Sequence, residues 1–208
     1  SNNIGGTVAS SIQVTSNSPG SQVIGIANNS AISTCTSNTV RNLSNNHGGS
    51  AAVIGMWFTS ATSNQAVTQN TIQNLRSTHA TLPTVVTGIQ FTGGTANIVA
   101  GNRIYGLTAL TNSTGAEVNG IRVAGGNTIY RNNMIAVGAG TPRAIGTGST
   151  TGGVNGILEA GGTNNFFHNS VYVGGAAGAG VGPSYAFNSL TGSTRSFRDN
   201  IFFNARST

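Results

Sequence analysis

Lysine is absent from this 208-residue chain and acids are nearly so: nine arginines stand against three carboxylates, and 6% of residues are charged. An average soluble domain carries about 25%. Paired-acid glycoside hydrolysis requires two carboxyl groups within about 10 Å. Glu117 and Glu159 lie in successive units of the chain, but Glu117 falls three residues before its unit's Gly-Ile glycine and Glu159 three after. Calcium requires several clustered oxygen ligands, and no Asp-x-Asp occurs. Zinc requires His or Cys at short spacing, and His47, His79 and His168 each stand alone. No metal, cofactor or catalytic set is therefore expected.

Cys35 is the single cysteine, which excludes an internal disulfide. Its apolar-alternating surroundings over 31–36 read as those of a buried, inert thiol. No apolar run approaches the roughly 20 residues of a membrane span, so membrane insertion is not expected. The net charge of +6 comes from scattered arginines, never a run, and a nucleic-acid footprint needs clustering. Gly-x-Ser-x-Gly is missing, and the glycine-rich stretch 174–182 lacks the lysine of a phosphate loop and reads as a flexible loop. The chain starts Ser-Asn-Asn with no leader-like segment, which reads as a processed or excised piece.

What fills the chain is Gly, Asn, Thr and Ser with recurring Ile and Val, a composition suited to short strands and tight turns. An Asn-x-(Ile/Val) motif begins at Asn2, Asn38, Asn70, Asn102, Asn133 and Asn169, with a degenerate copy at Asn200. The intervals are 36, 32, 32, 31, 36 and 31 residues. Two copies extend to Asn-x-(Val/Ile)-x-Asn-Leu, ending at Leu43 and Leu75, and a third places Gly106 before Leu107. A second motif, Gly-Ile or Gly-Met, begins at Gly25, Gly55, Gly88, Gly120 and Gly156, each 13 to 15 residues before the next anchor asparagine. Three of these segments run into Gly-Gly turns at Gly93, Gly125 and Gly161, and a third short apolar segment leads to the next anchor.

Each unit thus holds three short strands and none of the ten or more residues of 3.6-periodicity that a helix needs. The pattern predicts an all-β, parallel β-helix of six to seven coils, with residues 1–208 as one domain. Like residues then stack at about 4.8 Å, giving a rod of roughly 30 Å. Asn38, Asn70, Asn102, Asn133, Asn169 and Asn200 are expected to form an amide ladder, each donating to one neighbour and accepting from the other. Asparagine also tolerates the left-handed backbone such corners use. Length variation falls at 45–50, 78–84 and 138–153, which read as loops on one side of the rod.

These units resemble the right-handed parallel β-helix repeats of the pectin-lyase-like superfold. The Asn-Thr-Ile-x-Asn-Leu and Gly-Ile-x-Phe patterns are similar to repeat regions of large secreted bacterial surface proteins. The resemblance implies a right-handed coil and a place at the cell surface. It leaves function open, because that fold carries enzymes, adhesins and spikes alike.

Alternation points Met56, Phe58, Ile89, Phe91, Ile121 and Val123 inward, and Trp57, Gln90, Arg122 and Leu158 outward. Trp57, Gln90 and Arg122 make a candidate binding row, since an aromatic plate, an amide and a guanidinium suit a sugar. A second outward row is Arg41, Gln73, Tyr105, Ala136, Tyr172 and Phe203, whose aromatic lower half suits packing on a neighbour. Stacking also sets His168 beside Asp199, a pair expected to be solvated rather than catalytic. Glu159 falls at an inward position, where either the strand ends early or the carboxylate is buried with a partner. The expected role is an extracellular structural or adhesive element, pairing end to end or laterally with copies of itself, or contacting a surface glycan. A carbohydrate-binding or carbohydrate-cleaving β-helix is the alternative.

Overall fold

The structure, a computed structural model, describes residues 1–15, 20–30, 34–46, 52–79, 83–111, 115–138, 153–176 and 182–207. The chain opens with β1 (Asn3–Ile4), β2 (Ile12–Val14), β3 (Val23–Asn28) and β4 (Thr34–Thr36). Five regular coils follow, each of three strands. They are β5 (Thr39–Asn45), β6 (Ala52–Phe58) and β7 (Ala66–Thr68); then β8 (Thr71–Ser77), β9 (Val85–Phe91) and β10 (Asn97–Ala100). Next come β11 (Arg103–Ala109), β12 (Glu117–Val123) and β13 (Thr128–Arg131), then β14 (Met134–Val137), β15 (Val154–Glu159) and β16 (Asn165–Phe167). The last regular coil is β17 (Ser170–Val173), β18 (Ser184–Ser189) and β19 (Phe197–Arg198), and β20 (Ile201–Asn204) follows it.

All pairings are parallel, and they join strands one coil apart into three sheets. The anchor sheet has eight strands, running β1-β5-β8-β11-β14-β17-β20 with β2 beside β5; the Gly-Ile sheet and the third sheet have six each. The fold is the parallel β-helix that the repeat predicts. Its regular part is slightly shorter than the six to seven coils expected, because the first turn is irregular and the last is a single strand. Of the loops expected to project, residues 47–50, 80–82 and 139–152 lie outside the described residues, as do 177–181 of the glycine-rich stretch.

The core is a set of columns, one residue per coil. Val40, Ile72, Ile104, Ile135 and Val171 rise along the anchor sheet, and Met56, Ile89, Ile121 and Ile157 along the Gly-Ile sheet. Val67, Val99, Tyr130 and Phe166 rise along the third sheet. Phe166 stacks on Tyr130 at 5.2 Å with rings 14° apart, and on Phe197 at 5.3 Å and 15°. Parallel coils leave like side chains about one strand spacing apart, so planar rings fall naturally into stacks.

The glycine of the Gly-Ile motif has a steric cause. A Cβ on Gly88 would lie 2.5 Å from both Gly120 O and Ile104 Cγ2, and the glycines above and below are equally confined. Gly88 therefore turns inward immediately before inward-facing Ile89, and the strand bends there. The bend breaks simple alternation and turns Thr87, Asn119 and Asn155 to the outer side of the sheet, where they are nonetheless fully buried.

Candidate functional site

The two-residue corner between the third sheet and the anchor sheet carries the central hydrogen-bond system. Every corner holds one residue with positive φ and then an anchor asparagine: Ser37-Asn38, Gln69-Asn70, Gly101-Asn102, Asn132-Asn133, His168-Asn169 and Asp199-Asn200. The left-handed conformation thus belongs to the residue before the anchor, not to the asparagine itself as expected. The anchor keeps ordinary φ so that its amide can turn into the rod. Left-handed backbone does occur at Asn42, Asn74 and Gly106, the second Asn or Gly of the extended motif. There, glycine and asparagine interchange because both tolerate that φ.

The ladder is continuous over seven asparagines. Nδ2 of Asn2, Asn38, Asn70, Asn102, Asn133 and Asn169 each donates to Oδ1 of the next anchor, at 2.9 to 3.1 Å. The same oxygens also accept the main-chain N–H of the preceding anchor. From Asn70 onward the second amide proton reaches a third-sheet carbonyl, as in Asn102 to Val67 O at 2.9 Å. A second, shorter ladder was not foreseen. Asn155 donates to Asn119 Oδ1 at 2.9 Å, Asn188 to Asn155 Oδ1 at 3.2 Å, and Asn119 to Glu117 Oε2 at 3.3 Å.

Trp57, Gln90 and Arg122 are consecutive in register on the Gly-Ile sheet, so they form the expected row. Each is partly exposed, whereas Leu158, expected outward at the lower end, is fully buried. The outer face near the bend is covered there, and a leucine rather than a polar group fills the position.

The carboxylates are dispersed. Glu117 opens β12, and Glu159 pairs with Val123 at that strand's other end. Six residue steps separate the two registers, about 20 Å of chain at 3.3 Å per residue. Glu159 resolves into a buried, partnered carboxylate: Arg195 Nε lies 3.0 Å away, and Asn164 Nδ2 and Ser189 Oγ donate to it at 3.1 and 2.9 Å. The Arg195 Nε–H is not aligned for a hydrogen bond, and Nη2 donates instead to Thr191 O at 2.7 Å. Charge attraction, not a directed hydrogen bond, therefore ties Arg195 to Glu159. His168 and Asp199 do meet, Nδ1 to Oδ2 at 3.6 Å, but on an open corner with both side chains more than half exposed.

Burial shifts three other groups. Desolvation raises the Cys35 thiol, against a weaker opposing contact from Asn38 Nδ2 at 3.3 Å. Cys35 is half-buried rather than fully enclosed. Desolvation also holds the Tyr130 phenol far above its ordinary range and lowers the Arg206 guanidinium, which donates to Gly138 O and Gly174 O.

The second outward row is also in register, from Arg41 through Gln73, Tyr105, Ala136 and Tyr172 to Phe203. Its lower half lines an open, mostly apolar groove of about 590 Å³ on the anchor sheet, together with Arg103, Met134 and Ile201. The sequence placed these residues in one row but did not show the groove, which depends on a neighbouring row being exposed as well. No family model matches the chain, and no curated protein or solved structure matches it either. What stands is the parallel three-sheet coil itself.

Proposed function

We propose that the chain is a structural or adhesive β-helix element of the cell exterior, a stiff rod that presents its side faces to a partner rather than an enzyme. One observation carries this reading: the unbroken anchor column, with side-chain and main-chain hydrogen bonds at each of its six steps. Such a column holds outward residues at a fixed repeat along the rod. The separation of Glu117 from Glu159, and the use of Glu159 in a buried ion pair, support a non-catalytic role. Low charge and abundant Asn, Thr and Ser support an extracellular setting and weaken repulsion between copies.

The partner is a second copy of the chain, end to end or side by side. Light scattering across a concentration series, with negative-stain microscopy, tests this. Rods or growing assemblies support it; monomers at every concentration refute self-assembly. A glycan partner is the second reading, favoured by the register of Trp57, Gln90 and Arg122. A glycan array with wild type and Trp57→Ala tests it: loss of a wild-type signal in the variant supports it, and silence across the array counts against it.

A further inference from the structure

We infer that the anchor-sheet groove is a binding site for a small aromatic anion, its ring seated over Ala136 and its carboxylate or sulfonate against Arg103. Tyr105, Ala136, Tyr172 and Phe203 follow one another in register on consecutive coils. The Tyr172 and Phe203 rings stack at 5.9 Å and 29°. Tyr172 lies back over Gly174, where a Cβ would collide with the ring edge, so the stack depends on that glycine. Ala136 interrupts the column one coil above. Two coil steps, about 9.6 Å, therefore separate Tyr105 from Tyr172 at the backbone.

That gap has the width of one ring. A guest over Ala136 would sit about 4.8 Å from each flanking level, at the short end of the range for stacked aromatic pairs. The interior of the same rod fills successive coils in this way, with Tyr130, Phe166 and Phe197 at 5.2 and 5.3 Å. The groove volume of about 590 Å³ suits a small ligand. Its flanks are apolar, with Met134 56% and Ile201 66% exposed, so a sugar would leave hydroxyl groups against them unpaired.

Arg103 supplies the charge complementarity. It pairs in register with Met134 and lies two residues before Tyr105, on the same face of the sheet. Its side chain is exposed and makes no hydrogen bond or ion pair among the described residues. Its position is diagonal to Ala136, a relation within reach of a long side chain. The chain's net charge of +6 further favours an anion.

The test uses 2-naphthoate as probe and the neutral 2-naphthalenemethanol as control, titrated into the folded chain by calorimetry and ligand-observed NMR at low salt. Saturable naphthoate binding is expected. Ala136→Phe places the chain's own ring in the gap and should weaken both probes about tenfold or more. Tyr172→Ser removes one plate without adding volume and should weaken both as well, which keeps the test valid if the bulkier variant folds poorly. Arg103→Gln should weaken naphthoate about two- to fivefold, an effect that salt erodes, and leave the alcohol unchanged. Wild-type affinity in both groove variants, equal losses for acid and alcohol in Arg103→Gln, or no binding at millimolar probe would overturn the assignment. So would naphthoate binding that falls as protein concentration rises with dimer formation, which would give the groove to a second copy.

Discussion

Removing one interior rung of the anchor column tests the fold at its most informative point. Asn102 is fully buried. Its Oδ1 accepts from the main-chain N and Nδ2 of Asn70, both at 3.0 Å, and its Nδ2 donates to Asn133 Oδ1 at 3.0 Å and Val67 O at 2.9 Å. Asn102→Ala leaves the Asn70 main-chain N–H and one of its amide protons without acceptors in a dry site. A buried donor stranded in this way costs about 1–3 kcal/mol, so the variant should lose about 3–5 kcal/mol. Asn200 is the control, because its ladder contacts are only part-buried and water can replace them. Asn200→Ala should cost about 1–2 kcal/mol. Urea unfolding followed by far-ultraviolet circular dichroism measures both. The slopes must be compared, since a broken rung in a solenoid can uncouple the coils on either side. Equal costs at the two positions, or an Asn102→Ala loss below about 1 kcal/mol, would show that the column does not hold the coils together.

Gly88→Ala should destabilise by about 2–3 kcal/mol, because the new methyl meets Gly120 O and Ile104 Cγ2; an unchanged thermal midpoint would refute the steric account. Glu159→Gln strands Arg195 beside a neutral amide and should cost about 2–4 kcal/mol, while Glu159→Leu combined with Arg195→Met recovers most of it in the same melts. If Glu159→Gln melts like wild type, the pair is not structural. Cys35 should react with a disulfide reagent more slowly than free cysteine at pH 8, with a rate that climbs only as pH passes the ordinary thiol range, since its raised pKa leaves less thiolate; a rate matching the free amino acid would contradict this.

The coil architecture was legible because its determinants are local and repeated. Each anchor asparagine keeps phase with an apolar residue two positions on, and the Gly-Ile pairs mark a second strand. Those two phases placed the ladder and the inward columns of Met56, Ile89 and Ile121 correctly. What escaped depends on geometry between residues far apart in order. The glycine bend turns two successive positions inward, so alternation gives no hint of the Asn119–Asn155 ladder, and the cover that buries Leu158 on the outer face is announced by no repeat position. Arg195 reaches Glu159 from the following coil and from outside any strand, so no repeat position announces the pair. The corner's left-handed residue varies among Ser, Gln, Gly, Asn, His and Asp, which hides a shared backbone state behind unlike side chains. That same variation is what brought His168 and Asp199 together.

Coils of 31, 32 and 36 residues all dock on one column through the same two-residue corner. The rungs meet whatever the number of residues between them, so an insertion in one coil leaves the alignment of every later coil untouched. The rod can therefore accept foreign segments at its loops like cargo hung from a rail, each at a height set by the coil that carries it.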